Sequence, residues 1–158
     1  VCAEKVQQPT IGVVKTRSKA CGGRAFEREQ LCRSSGGVPQ YAPYLQSIEI
    51  AKGRQPHGWN PRRPTTKFAR EFRRYIAKRI PNGKEELRIF VSTQTSLDHW
   101  HGVDMFLIYR GRIITFDLTV KPGKDEYKAN YLITQHDIRS NRFYGVARKV
   151  VLDLGGRN

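Results

Sequence analysis

Asp104 and Asp117 lie on the two arms of a segment, VDMFLIYRGRIITFDLTV, that reads as one β-hairpin turning at Arg110-Gly111. A loop centred on that bond, whether of two or four residues, pairs positions symmetric about it, and Asp104 and Asp117 are such a pair. Two carboxylates opposed across a ladder repel, and Asp is a poor strand residue, so the pair is best explained by a positive species between them. A divalent cation, Mg²⁺ or Mn²⁺, is the leading candidate. Carboxylate oxygens are hard ligands, and such an ion can bridge carboxylate to phosphate, lower the pKa of an attacking water and balance the charge of pentavalent phosphorus. A lysine on the same face would add positive charge to that transition state or position the water.

The hairpin must hold these groups in register. Alternation assigns Met105, Leu107, Ile114, Phe116, Leu118 and Val120 to a core-facing side. The other side carries Asp104, Thr115, Asp117 and Thr119, with Lys121 in step just beyond. Phe106, Ile108 and Ile113 share the acidic side near the turn, so that end is expected to be covered by the helix that precedes the strands. Three strands are expected, over residues 87–93, 103–110 and 112–120. Before them, Thr65 or Thr66 can cap a helix running to about residue 80, with Phe68, Phe72, Tyr75, Ile76 and Ile80 at helical spacing and Pro81-Asn82-Gly83 as its stop. Its outer face carries Arg70, Arg73, Arg74 and Lys78. Glu71 falls at the edge of the apolar stripe, where it can serve as a third acid or pair with neighbouring bases. Residues 125–138 fit helix or strand; residues 146–154 also fit either by periodicity, and a final strand is favoured because Val150, Leu152 and Leu154 alternate.

Residues 1–64 have a different texture. They hold Gly22-Gly23, Gly36-Gly37 and most of the prolines, which predicts an irregular basic arm with one short helix over 24–33, attached to an α/β core over 65–158. Tyr41, Tyr44 and Trp59, set among Arg54, Arg62 and Arg63, either stack on bases or pin a loop to the core. The three cysteines, Cys2, Cys21 and Cys32, have neither the number nor the spacing of a disulfide framework or a structural zinc site. A reducing, intracellular compartment is therefore expected. Val1 without a signal-peptide pattern suits a processed chain, a piece of a larger protein or a fragment.

Charge indicates the partner. With 29 Lys and Arg against 14 Asp and Glu, the formal net charge is +15, which favours polyanions through counterion release. Nucleic acid is the expected partner, with Arg62, Arg63, Arg70, Arg73, Arg74, Lys124, Lys128 and His101 as candidate contacts. No long apolar run is present to span or anchor in a membrane. The sequence leaves a homodimer open. Asp98-His99-Trp100-His101 could form a transition-metal site or lie beside a phosphate, although histidines two apart are more often surface residues. His57 and His136 have no motif context. Neither a nucleophile elbow nor a Gly-rich phosphate loop is present.

The run His101-Gly102-Val103-Asp104, followed by Asp117-Leu118-Thr119 and then Lys121, with Glu71 on the preceding helix, resembles the PD-(D/E)XK nuclease superfamily. That pattern is an Asp opening the second core strand, an acidic-x-Lys on the third and a Glu on the helix before. The resemblance covers about residues 65 to 154 and implies a restriction-endonuclease-like fold with an αβββαβ core. It also implies Asp104, Asp117 and the Leu118 carbonyl as metal ligands, and Glu71 as an auxiliary acid. Thr119 stands where the family has its lysine, and Lys121, two residues on along the same face, is the expected substitute, with Lys124 or Lys128 also able to reach in. The implied activity is Mg²⁺- or Mn²⁺-dependent phosphodiester hydrolysis, with DNA favoured over RNA because the family mostly cuts DNA. The alternative is a non-catalytic nucleic-acid-binding or assembly protein that keeps the fold.

Overall fold

The computed structural model describes residues 19–157, with side chains from residue 22 onward. The expectations for Cys2 and Cys21 fall outside the described side chains, and Cys32 forms no disulfide among the described residues.

The hairpin forms in the expected register. Strand β2 (Met105–Tyr109) pairs antiparallel with β3 (Arg112–Thr119), placing Met105 opposite Phe116 and Tyr109 opposite Arg112. The turn residues Arg110 and Gly111 both have positive φ, 48° and 76°, the two-residue geometry whose twist matches the flanking strands. Arg110 adopts the left-handed conformation while its guanidinium bonds Glu86 at 2.6 and 3.2 Å. One residue beyond the ladder, the Asp104 N–H donates to the Phe116 carbonyl at 2.9 Å, while the Ser92 N–H donates to the Asp104 carbonyl at 2.8 Å. Asp104 thus fastens the end of β3 to the end of β1 (Arg88–Val91), which pairs antiparallel with β2.

The fourth strand, β4 (Tyr131–Thr134), runs parallel to β3 and completes a mixed, open sheet in the order β1-β2-β3-β4. The connection over residues 120–130 contains no helix, whereas the resemblance implies one between the third and fourth strands. The helices α6 (Gln135–Arg139) and α7 (Phe143–Asp153) follow β4 instead. Residues 146–154 are thus the body and end of a helix, not a strand. Phe143, Ala147, Val150 and Val151 are buried on one helical stripe, while Leu152, which a strand would have buried with Val150 and Leu154, is 53% exposed.

Helix α3 (Lys67–Ala77) starts at Thr66, whose side chain caps it by accepting the Ala69 N–H at 3.4 Å. It packs Phe68, Phe72 and Ile76 with α7 on the sheet face made by Met105, Leu107 and Phe116; the Phe72 and Phe116 rings meet nearly edge to face at 5.3 Å. The expected helical cover over Phe106 and Ile108 comes from a different element. It is α2 (Tyr44–Gly53), which supplies Ile48 and Ala51, joined by Leu97 from the short α5 (Ser96–His101). Residues 22–64 are accordingly not irregular throughout: α1 (Lys19–Leu31) buries Phe26 and Leu31 in the same cluster as α3. Trp59 is buried as well, donating its indole N–H to the Ile89 carbonyl at 3.0 Å, so it anchors its loop and is closed to stacking. Among the described residues, no helix is long and apolar enough to cross a membrane.

Candidate active site

The strand ends at Asp104 and Leu118 open into a cavity of about 950 Å³. Asp104, Asp117, Leu118, Thr119, Lys121 and Lys124 line it from the hairpin and the loop that follows; Glu27 reaches it from α1 and Asp98 from α5. Asp104 and Asp117 lie on the side of the sheet opposite Met105 and Leu118, as alternation requires. Both are buried, and Asp104 Oδ2 accepts the Leu118 N–H at 2.7 Å.

The lysine in contact with this acidic pair is Lys124. Its ammonium donates to Asp117 Oδ2, while Lys121, the expected substitute, is exposed on the cavity rim with its backbone N–H donating to Thr119 Oγ1 at 3.2 Å. The chain turns at Pro122-Gly123, with Gly123 at φ 66°, and this bend carries Lys124 back over the sheet end. Strand alternation favours Lys121, and Lys124, the alternative that the sequence offers, is the lysine this bend brings in.

The helical acid at the cavity is Glu27 and not Glu71. Glu71 lies on α3, packed against the opposite side of the sheet, and is not among the cavity-lining residues. Burial pushes the Glu27 carboxyl up from its usual 4.5 to about 7, with Asp98 and Asp117 adding repulsion and Arg24 and Lys124 opposing it. Burial also raises Asp104 well above the usual carboxylate value, with Glu27 and Asp98 contributing, against the stabilising Leu118 N–H. Asp98 is raised in the same direction, first by burial, although the Gln94 N–H at 2.5 Å favours its charged form. Each acid is thus wholly or partly buried beside others of its own charge. The sequence signal for Glu27 is slight: it is one acid on the short helix expected over 24–33, with no spacing that ties it to the hairpin.

The other expected contacts divide. Arg73 is buried, its guanidinium donating to the Leu87 carbonyl at 3.0 and 2.8 Å and to the Lys84 carbonyl at 2.7 Å, which ties α3 to α4 (Gly83–Glu86) and the start of β1. Burial, with Arg62 adding to it, lowers its pKa from the usual arginine value. This arginine is therefore structural and cannot meet phosphate. Arg62, Arg63, Arg70, Arg74 and Lys128 are exposed. His101 is held by its Nε2–H on the Ala42 carbonyl at 2.9 Å, whereas His99 lines the cavity.

Asp104, Asp117 and Glu27 bring carboxylates, the hard oxygen donors that Mg²⁺ and Mn²⁺ prefer, to one cavity that Leu118 also lines. As the side chains stand, no cluster of three or more His, Cys, Asp or Glu among the described residues is drawn together around a single point. Magnesium sites need only one or two carboxylates, with phosphate and water completing the shell, so the donor set fits such an ion. No family model, curated protein or solved structure matches the chain.

Proposed function

We propose that the protein is a metal-dependent nuclease of the restriction-endonuclease-like type, hydrolysing phosphodiester bonds at the cavity between α1, α5 and the end of the hairpin. The observation that carries this reading is the convergence of Glu27, Asp98, Asp104 and Asp117 with Lys124 in one cavity of a strongly basic chain. Acids gathered in a cleft and perturbed by burial and by one another are candidates for a functional site. Asp104 and Asp117, with the Leu118 carbonyl, hold the cation, and Glu27 is an auxiliary acid beside them. A hard divalent cation, when bound, supplies Lewis acidity toward the phosphodiester and toward water.

The chain's own residues do the rest. Lys124, within contact of Asp117, puts positive charge where the phosphorane's equatorial oxygens gain negative charge. Glu27, titrating near 7, can take up or release a proton at neutral pH. Arg24, Arg33 and Lys121 on the cavity wall attract the phosphate backbone, and Arg62, Arg63, Arg70 and Arg74 are exposed positive charges outside the cavity. DNA is the favoured substrate over RNA.

A cleavage assay on supercoiled plasmid, single-stranded DNA and RNA, with Mg²⁺, Mn²⁺ or EDTA, tests the reading. Cleavage that requires the metal and disappears in Asp117→Asn is expected. Tight, salt-sensitive binding without cleavage under every condition would favour the non-catalytic binding protein.

A further inference from the structure

Tyr41 and Trp100 pack against each other edge to face, with ring centroids 5.6 Å apart and planes at 84°, yet they are 67% and 43% exposed. Neither belongs to either hydrophobic core cluster. Their positions are fixed from behind: Tyr44 sets its ring against His101 at 5.6 Å, and His101 is in turn bonded to the Ala42 carbonyl between the two tyrosines. The pair adjoins the cavity through His99, which lines it and sets its ring edge to face against Trp100 with centroids 4.8 Å apart. A cation stands beside it, Lys128 Nζ lying 3.4 Å from the Trp100 carbonyl.

The geometry points to the Tyr41–Trp100 pair as a stacking platform for an unpaired nucleobase of a single-stranded segment whose phosphate lies in the neighbouring cavity. The inference rests on the reading of that cavity as a phosphodiester site. Rigid, exposed aromatic rings with an ammonium alongside match a nucleotide, which offers a π-face and an anion together. Paired bases in a duplex have their faces covered by neighbours, and Tyr and Trp rings are poor readers of base edges. The platform therefore selects for unpaired strand, whether DNA or RNA, and for substrates with a single-stranded stretch at the point of attack.

Binding in EDTA separates this from hydrolysis. Fluorescence anisotropy would compare an oligothymidylate, an oligouridylate and a duplex of equal length against the wild type and Tyr41→Ala/Trp100→Ala, with circular dichroism confirming that the variant is folded. The double variant is expected to bind the single strands about ten-fold or more weakly, the scale of a lost base–ring stack. Duplex affinity, carried by phosphate contacts, should stay within about two-fold. An oligodeoxyuridylate, which shares its base with the uridylate and differs only in the sugar, assigns the sugar. Trp59 is buried and is the other of the two tryptophans, so quenching of indole fluorescence by the single strand reports Trp100; it should vanish in Trp100→Phe while affinity is kept. Equal weakening on all substrates, no weakening on any, or absence of quenching overturns the platform. So does wild-type self-association that the double variant abolishes with single-strand binding unchanged, since the patch would then serve a second copy of the chain. Failure of the platform with metal-dependent cleavage intact leaves the nuclease reading standing, and single-strand-selective weakening without any cleavage does the reverse.

Discussion

The Asp104 carboxylate accepts the Leu118 main-chain N–H at 2.7 Å, so one side chain both closes the end of the hairpin and faces the cavity. Its two roles respond differently to substitution. Asp104→Asn keeps an oxygen acceptor and removes the repulsion from Glu27 and Asp98, and it should unfold at the same or higher urea concentration than wild type. Asp104→Ala leaves a buried N–H unpaired and should cost about 1–3 kcal/mol. Both should abolish cleavage. Urea denaturation beside a plasmid assay checks this, and equal destabilisation by Asn and Ala would refute the hydrogen-bonding role.

Glu27 predicts a pH dependence with a definite sign. Its carboxyl titrates near 7 in the folded protein against a usual value of 4.5, so between these values the native state holds a proton that the unfolded chain has released. The associated stability is fully present below about 4.5 and is lost as pH rises through about 7. Asp104 shifts in the same direction. Metal-free protein should therefore melt at progressively lower temperature over this window, and Glu27→Gln should flatten the slope. Proton and divalent cation compete for the same oxygens, so Mn²⁺ should raise the melting temperature more at the alkaline end than at the acid end. A Mn²⁺ effect independent of pH would separate these acids from the metal.

The hairpin is legible in the sequence because its information is local. Alternation of period two and a turn at Arg110-Gly111 fix which residues face each other, and the ladder follows them from Met105–Phe116 to Tyr109–Arg112. Helix α3 is legible for the same reason, its apolar spacing and Thr66 cap lying within one short stretch. Glu27 is not, because α1 meets β3 only through the tertiary fold and Gly22-Gly23 makes its start read as loop. The final element reads as a strand because Val150, Leu152 and Leu154 alternate, while Val150, Val151 and Leu154 also share a helical face. Only packing against α3 distinguishes the two patterns. Arg73 looks like one more base on a basic helix, and nothing in its neighbours reveals that the carbonyls of Lys84 and Leu87 turn toward it.

That distinction among the α3 arginines gives a third prediction. Arg73→Ala strips the charged donor from the Leu87 and Lys84 carbonyls and should destabilise the fold by about 2–3 kcal/mol, the range for hydrogen bonds to charged groups. Arg70→Ala and Arg74→Ala are exposed changes and should leave stability within about 0.5 kcal/mol. They should instead weaken nucleic-acid binding and shallow its salt dependence, by about one unit of log–log slope for each phosphate no longer neutralised. Denaturation curves and a salt titration of binding check both halves. A stable Arg73→Ala protein would show that the buried guanidinium is dispensable.

The fourth prediction concerns which lysine assists the chemistry. Lys124 donates to Asp117 from inside the cavity, whereas Lys121 stands exposed at its rim, so their removal should have unequal effects. Lys124→Ala deletes charge that acts on the transition state and should lower cleavage by about 10²–10³-fold with little change in binding. Lys121→Ala removes a more screened charge and should cost about ten-fold or less. Asp117→Asn should abolish cleavage while leaving binding intact or tighter, because it removes an anion that repels phosphate. Single-turnover cleavage alongside anisotropy in EDTA separates the effects. If Lys121→Ala is the more damaging variant, the Lys124–Asp117 contact is a resting ion pair and the rim lysine carries the catalytic charge.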